Sequence, residues 1–141
     1  MDDIEAPDLA APEARPTIPI LPGLHKRVYT GHPWVYSNEI DMTADLKTLT
    51  PGTIVTLTDA YERPLGTAMF NPRPLISARV LDRNAAAEIN SDWLAARFVD
   101  ASALRDRMFE QPYYRLVHAE ADGLPGLIVD RYGDACVVQL N

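Results

Sequence analysis

From residue 18 to residue 83 the apolar positions fall into short runs separated by turn formers, with no helical stripe. Segments 34–40, 53–58, 65–70 and 75–81 are rich in Val, Ile, Leu, Thr and aromatic residues, and Gly, Pro, Asn or Asp stand between them. Runs of that length between such punctuation predict strands, and four of them predict a small mixed or antiparallel barrel. The stretch 17–21 reads as a short extended start, which Pro19 and Pro22 confine to an edge. Residues 23–30 have room for one helical turn carrying His25, Lys26 and Arg27. Within 53–58 the alternation is imperfect, so the inward face stays open. Beyond a connector at 85–90 the period changes. Leu94, Phe98, Ala101, Leu104 and Met108 recur at three- and four-residue spacings, the stripe of an amphipathic helix. Asn90 or Ser91 supplies its N-cap, Asp92 sits in its first turn, and Pro112 marks the exit. Three more strands are predicted over 114–118, 127–130 and 135–140. The last ends the chain with no cap and no polar tail, which reads as a fragment of a longer polypeptide. Its free edge would be a template for pairing, so self-association through 135–141 is expected.

Composition narrows the class. Of 141 residues, 47% are hydrophobic and 23% charged, the balance of a globular chain. The first 17 residues are the exception: dominated by Ala, Pro and acid, they predict a disordered tail. No apolar run approaches the roughly 18–20 residues of a membrane helix, and the acidic N-terminus lacks a signal core. One cysteine cannot build an internal disulfide. These features point to a reducing, cytoplasmic setting. The net charge of −7 argues against indiscriminate coating of nucleic acid. The distribution changes that picture. Residues 18–83 carry seven basic against six acidic groups, plus His25 and His32, whereas 84–141 carry five against nine. Only the former offers a place for an anionic partner.

The candidate chemistry is correspondingly sparse. His25, Lys26 and Arg27 beside Gly23 could grip phosphates or could be a solvated charge cluster. Trp34 and Tyr36 share a strand face, where they either stack bases or fill the barrel. Arg73, in a Pro-flanked loop, and Arg79, opposite in parity to Ile76, Ala78 and Val80, extend a basic face or are ordinary surface arginines. Cys136 lies between apolar neighbours and reads as a buried, inert thiol. His118, Glu120 and Asp122 alternate as a metal trio would, yet read better as structural: Asp122 for the turn at Gly123, and Asp130 pairing locally with Arg131. There is no strand–glycine-rich loop–helix unit for a nucleotide-like cofactor.

Three stretches carry a family resemblance: Leu21-Pro22-Gly23-Leu24-His25-Lys26-Arg27 with Gly31-His32-Pro33-Trp34-Val35-Tyr36-Ser37-Asn38-Glu39-Ile40; Pro51-Gly52-Thr53-Ile54-Val55; and the run from Tyr114 to Asp134 containing Asp122-Gly123-Leu124-Pro125-Gly126. The chain resembles the N-terminal part of the S-adenosylmethionine-dependent large-subunit rRNA cytosine-C5 methyltransferases. The resemblance implies a PUA-like RNA-binding barrel over 18–83 and the start of a middle α+β domain over 84–141, with the C-terminal methyltransferase domain lying outside this segment. The fold class expected is therefore mixed α/β and β-rich, a PUA-like small barrel followed by a truncated helix-plus-three-strand α+β domain. It also implies ribosomal RNA and the missing catalytic domain as partners, with a homodimer possible and no membrane. RNA contacts would come from His25, Lys26, Arg27, Trp34, Arg73 and Arg79. No catalytic or metal residue is expected here. No cofactor is expected in this segment either; S-adenosylmethionine would bind the full-length parent. Two departures stand out: Ala119 where the family often has Gly, and Tyr61-Glu62-Arg63 in a turn that often contains one. The alternative is a stand-alone PUA-like module that binds RNA, protein or a ligand with no enzyme attached.

Overall fold

The computed structural model describes residues 14–141. The expected tail over 1–13 lies outside them. Residues 14–17 do not: Arg15 donates to Thr67 Oγ1 and to the carbonyls of Ala85 and Ala87, and the Pro16 carbonyl accepts the Thr56 amide. Residues 15–17 of the expected tail are thus tied to the barrel, through the Arg15 guanidinium and the Pro16 carbonyl.

Strand β1 (Thr17–Pro19) runs parallel to β3 (Thr53–Thr58), which pairs antiparallel with β4 (Pro64–Phe70). β4 pairs with β5 (Ile76–Asp82), and β5 with β2 (Trp34–Tyr36), giving the order β1-β3-β4-β5-β2. The two edges nearly meet. An antiparallel bridge joins Ile20 to Ile40, and the Leu21 amide donates to the Glu39 carbonyl at 2.9 Å, so the sheet curls into a small barrel. Alternation in β3 resolves with Val55 and Leu57 inward, where they meet Ile18, Val35 and Phe70, all at 0% exposure. Gly66 lies where a Cβ would come within 2.6 Å of the Asp82 carbonyl, so only glycine lets β4 close onto β5 there. Helix α1 (Lys26–Tyr29) is the single turn expected, pinned by buried Val28.

The predicted strand at 34–40 is shorter than expected. After Tyr36 the chain makes a 3₁₀ turn over Ser37–Glu39, because the Glu39 carboxylate reaches back to the Tyr36 amide at 2.8 Å. Helix α2 (Ala44–Thr48), capped by the Thr43 hydroxyl, was not anticipated; five residues are too few to leave a stripe.

The second unit has its own core. Helix α3 (Ser91–Met108) starts at Asn90, whose side chain accepts the Trp93 amide at 2.9 Å. It packs against β6 (Tyr113–His118) of a sheet completed by β7 (Leu127–Tyr132) and β8 (Ala135–Leu140). Ala101 and the half-buried Phe98 and Trp93 pack on Val117, Leu124 and Val129. The rest of the stripe is open: Leu104 is 48% and Met108 64% exposed. All of β8 is exposed, which corrects the reading of Cys136 as buried. Apolar neighbours bury a strand residue only where something covers the sheet, and among the described residues nothing covers β8. No described helix is long and apolar enough to cross a membrane.

Candidate functional site

The loop 21–25 delivers His25 as the N-cap residue of α1, so His25, Lys26 and Tyr29 lie on one side of it, facing the start of β4. Together with Asp59, Arg63, Pro64 and Leu65 they line a cavity of about 320 Å³. A second cavity, lined by Val28, Tyr29, Pro64, Leu65 and Arg83, adjoins it across the shared Tyr29, Pro64 and Leu65. Asp59 sits at the bottom, 2% exposed, and its carboxylate is spent: Oδ1 accepts the Tyr61 and Arg63 amides and Oδ2 the Arg63 Nε at 2.7 Å. Burial pushes its carboxyl up, but these donors outweigh it and hold the group below the usual aspartate range. They also stabilise the 59–63 turn, in which Glu62 adopts φ +62. That is the Tyr61-Glu62-Arg63 turn, where the family resemblance leads one to expect a glycine.

Around this groove, Lys26 and Arg83 have no hydrogen-bond or ion-pair partner among the described residues, and Arg63 gives its Nε to Asp59 while its guanidinium lies over the Tyr61 ring at 5.5 Å. Arg83 rests on Gly31, where a Cβ would meet its guanidinium at 2.2 Å. Arg27, by contrast, is structural. Its NH1 donates to buried Glu39 at 3.0 Å, its NH2 lies 3.0 Å from His32 Nε2, and its guanidinium covers the Tyr36 ring.

Trp34 and Arg79 are cross-strand partners on the outer face of β2 and β5, half-buried as a pair. Both point at one acceptor in the second unit. Trp34 Nε1 donates to Glu120 Oε1 at 2.7 Å and Arg79 NH1 to the same oxygen at 2.6 Å. A mirror-image arrangement sits nearby: Asp82 of β5 accepts Trp93 Nε1 at 2.9 Å and Arg97 NH2 at 3.0 Å from α3. Each unit thus gives one Trp–Arg pair and one carboxylate, and the two clasps tie barrel to α+β unit. Burial raises both carboxyls, but their indole and guanidinium partners more than offset it, holding both below their ordinary range. Trp34 and Arg79 therefore belong to this contact, apart from the α1 groove. Arg73 is exposed in the 71–75 loop, away from the residues that line the groove, its amide bonded to Asn71.

The two carboxylates of the 118–122 trio, Glu120 and Asp122, are spent within the fold. His118 ends β6, and a 3₁₀ turn over Ala119–Asp122 follows, begun by Ala119 at φ +44. Asp122 accepts Arg105 through both oxygens at 2.6 and 2.7 Å and the His118 amide at 2.7 Å, joining α3 to the turn. Asp130 pairs with Arg115 across the ladder rather than with Arg131, which bonds Tyr114 and Gly133 instead. Adjacent strand residues face opposite sides, which forbids the local pair. No group of three or more His, Cys, Asp or Glu is arranged to hold a metal among the described residues.

Comparison with known proteins places these features. Residues 18–83 match the PUA-like domain family. The chain is 31% identical over 144 aligned residues, 97% of its length, to a protein of Deinococcus radiodurans named ribosomal RNA large subunit methyltransferase. It is 37% identical over 123 residues to ribosomal RNA large subunit methyltransferase I of Aliivibrio fischeri. It covers 34% and 30% of those two proteins, so the chain spans about a third of the length of the curated relatives it matches. Among solved structures, a SAM-dependent methyltransferase from Streptococcus mutans superposes with a TM-score of 0.73 at 17% identity, over 89% of this chain and 33% of that one. A further methyltransferase structure, complexed with SAH, superposes equally well. At that identity the structures establish the fold: a mixed, β-rich chain with a PUA-like barrel.

Proposed function

We propose that this chain is the RNA-recognition and middle portion of a large-subunit rRNA methyltransferase of the cytosine-C5 class. On this reading the barrel over 18–83 docks the enzyme on folded rRNA, and 84–141 form part of a middle domain that links it to the catalytic part. The observation that carries the reading is the set of cations around α1: Lys26, the outer nitrogens of Arg63, and Arg83, on a barrel that matches the PUA-like family. Similarity to rRNA methyltransferases along nearly the whole chain supports the RNA class.

The described residues do not fit S-adenosylmethionine. Holding it takes a glycine-rich turn that opens a helix, and a carboxylate after a second strand. Here the glycines at 23, 31, 52, 123, 126 and 133 have positive φ and lie at turns or short loops, and α3 opens on Asn90, Ser91 and Asp92 instead. No step of methyl transfer is assigned to these residues, and calorimetric titration with S-adenosylmethionine should give no heat of binding.

Fluorescence anisotropy with a labelled rRNA hairpin tests the docking role. Binding should be weak and fall with salt, and Lys26→Ala should flatten the salt slope by about one unit, as loss of one phosphate contact does. Arg27→Ala is the wrong probe, because it strands buried Glu39. Deleting residues 1–13, which carry five acidic groups and no basic one, should tighten binding. Indifference to both changes would favour the stand-alone module, which binds some other ligand.

A further inference from the structure

The barrel and the α+β unit each have a core of their own, and the two cores share no residue. What joins the units is polar. Among the described residues, five side-chain hydrogen bonds cross between them, and all five end on Leu81, Asp82 or Glu120. Beside these ties the junction is unfilled: a cleft of about 370 Å³ lies between Met69 and Ile76 on the barrel wall and Asn141 at the end of β8. A small, polar junction inside one chain leaves relative motion of the units as the default unless something holds them.

The connector shows where such motion is taken up. Arg15 grips its first half, donating to the carbonyls of Ala85 at 3.3 Å and Ala87 at 2.7 Å, and the Thr67 hydroxyl donates to the Asn84 carbonyl at 2.8 Å. Asn90 is fixed at the far end as the cap of α3. Between them Glu88 and Ile89 make no hydrogen bond among the described residues. The two clasps are also coupled to each other. Glu120 sits in the turn over Ala119–Asp122, and Arg97 of the other clasp lies against Gly123 at the end of that turn, where a Cβ would meet its guanidinium at 3.3 Å. Asp122 ties the same turn to α3 through Arg105. On the barrel side, Arg79 and Asp82 both stand on β5.

From this geometry we infer that the junction is a releasable latch: a two-residue hinge at Glu88 and Ile89, held shut by two Trp–Arg–carboxylate clasps that let go together, so that the barrel swings away with both cores intact. Each side of the latch carries its two halves on one rigid piece, so one clasp opens only a little while the other stays shut. The bonding chemistry suits release. The four charged partners are partly exposed, so water replaces their bonds when they part, whereas an apolar seam would resist opening. The device does not depend on what the barrel binds.

Hydrogen exchange of the two indole N–H groups in the full chain reads the latch. In the parent both should show similar protection and exchange at least about a hundredfold faster than the amides of Val55 and Val129 in the two central strands, because release precedes unfolding. Glu120→Ala breaks one clasp and should speed exchange at Trp93, in the other, by at least about tenfold, the equivalent of one charge-assisted hydrogen bond. Arg115→Ala breaks an ion pair inside the α+β unit and should leave both indoles unchanged. In Asp82→Ala/Glu120→Ala, ¹⁵N relaxation should give two rotational correlation times where the parent gives one, with order parameters falling at Glu88 and Ile89 and the core shifts of both units kept. These runs use the Val138→Lys background, so that association through β8 does not set the tumbling. Asp82→Asn/Glu120→Gln keeps one acceptor oxygen per clasp and should speed both indoles with both folds intact, which carries the test if the double alanine variant loses its core shifts. A Trp93 indole indifferent to Glu120→Ala overturns the coupling of the clasps. Indoles protected as deeply as the core amides overturn release short of unfolding, and a single correlation time in a folded double variant overturns the hinge.

Discussion

Glu120 is the acceptor on which barrel and α+β unit meet, and removing it measures what that contact contributes. Glu120→Ala withdraws the partner of Trp34 Nε1 at 2.7 Å and of Arg79 NH1 at 2.6 Å. Hydrogen bonds to charged groups contribute about 1.5–3 kcal/mol each when well protected. Here the arginine side chain is 35% exposed and the glutamate 18%, so water replaces part of what is lost. A total of about 2 kcal/mol for the variant follows, which for a chain of this size lowers Tm by about 8 °C. Trp34→Phe keeps the ring and removes only the N–H, and should cost about 1 kcal/mol. The double cycle of Glu120→Ala with Arg79→Ala should return a coupling of about 1 kcal/mol, since the two side chains share one bond.

The pH dependence has a definite sign. Glu120 is held below its ordinary value in the folded chain, so it binds fewer protons there than when unfolded. Its stabilisation is complete above the unfolded value of about 4.3 and is lost as pH falls through the lower folded one. The gap in Tm between the parent and Glu120→Ala should therefore be widest near neutrality and close as pH falls below the unfolded value. Scanning calorimetry across that range is the assay, with the Trp34 indole N–H resonance as a local reporter. In the parent that proton should exchange slowly, and in the variant fast. A Tm within about 1 °C of the parent, with an unchanged indole signal, would refute the clasp as a source of stability.

Other perturbations separate local strain from pairing. Ala119→Gly should raise Tm by about 2–4 °C, because φ +44 costs an L-residue about 1–2 kcal/mol and the added chain entropy of glycine returns only part of it. Asp122→Ala strands Arg105, a pair whose side chains are only 12% and 7% exposed, and should cost about 3 kcal/mol by urea denaturation. The β8 edge, with Val137, Val138 and Leu140 all at least 59% exposed, should make the chain self-associate at high micromolar concentration; Val138→Lys should return it to a monomer in analytical ultracentrifugation.

The sequence was most legible where the signal is local and periodic. The strand runs of β3 and β8, the span of α3 and its Asn90 cap follow from neighbours a few residues apart. What pattern could not reach is contact across the fold. Trp34 and Glu120 are 86 residues apart, and no spacing rule joins them. Once Trp34 is known to sit opposite an outward arginine on the neighbouring strand, the same feature that suggested a basic face equally suits a carboxylate from the next unit. Arg63 and Arg83 were missed as groove residues for a similar reason. They flank α1 only because β4 lies between β3 and β5 in the sheet. Cys136 shows the opposite failure: its apolar strand was read correctly and its burial was not, since burial depends on a covering layer that a strand pattern does not encode. Both departures had a backbone meaning: Glu62 and Ala119 adopt φ +62 and +44, left-handed positions where glycine would be relaxed.

The net charge of −7 needs the same spatial reading. Five of the acidic groups lie in residues 1–13, so the described residues carry fifteen acidic against thirteen basic groups. Six of those acids are engaged by arginines: Glu39, Asp59, Asp82, Glu120, Asp122 and Asp130. Each pair occupies guanidinium nitrogens as well as a carboxylate, as at Arg27 and Arg79, whose side chains stay 43% and 35% exposed. The cations left near α1 are few, so phosphate attraction alone gives this surface a shallow salt dependence and little affinity. On the proposed reading, a docking surface with so few charges draws its selectivity from more than phosphate attraction.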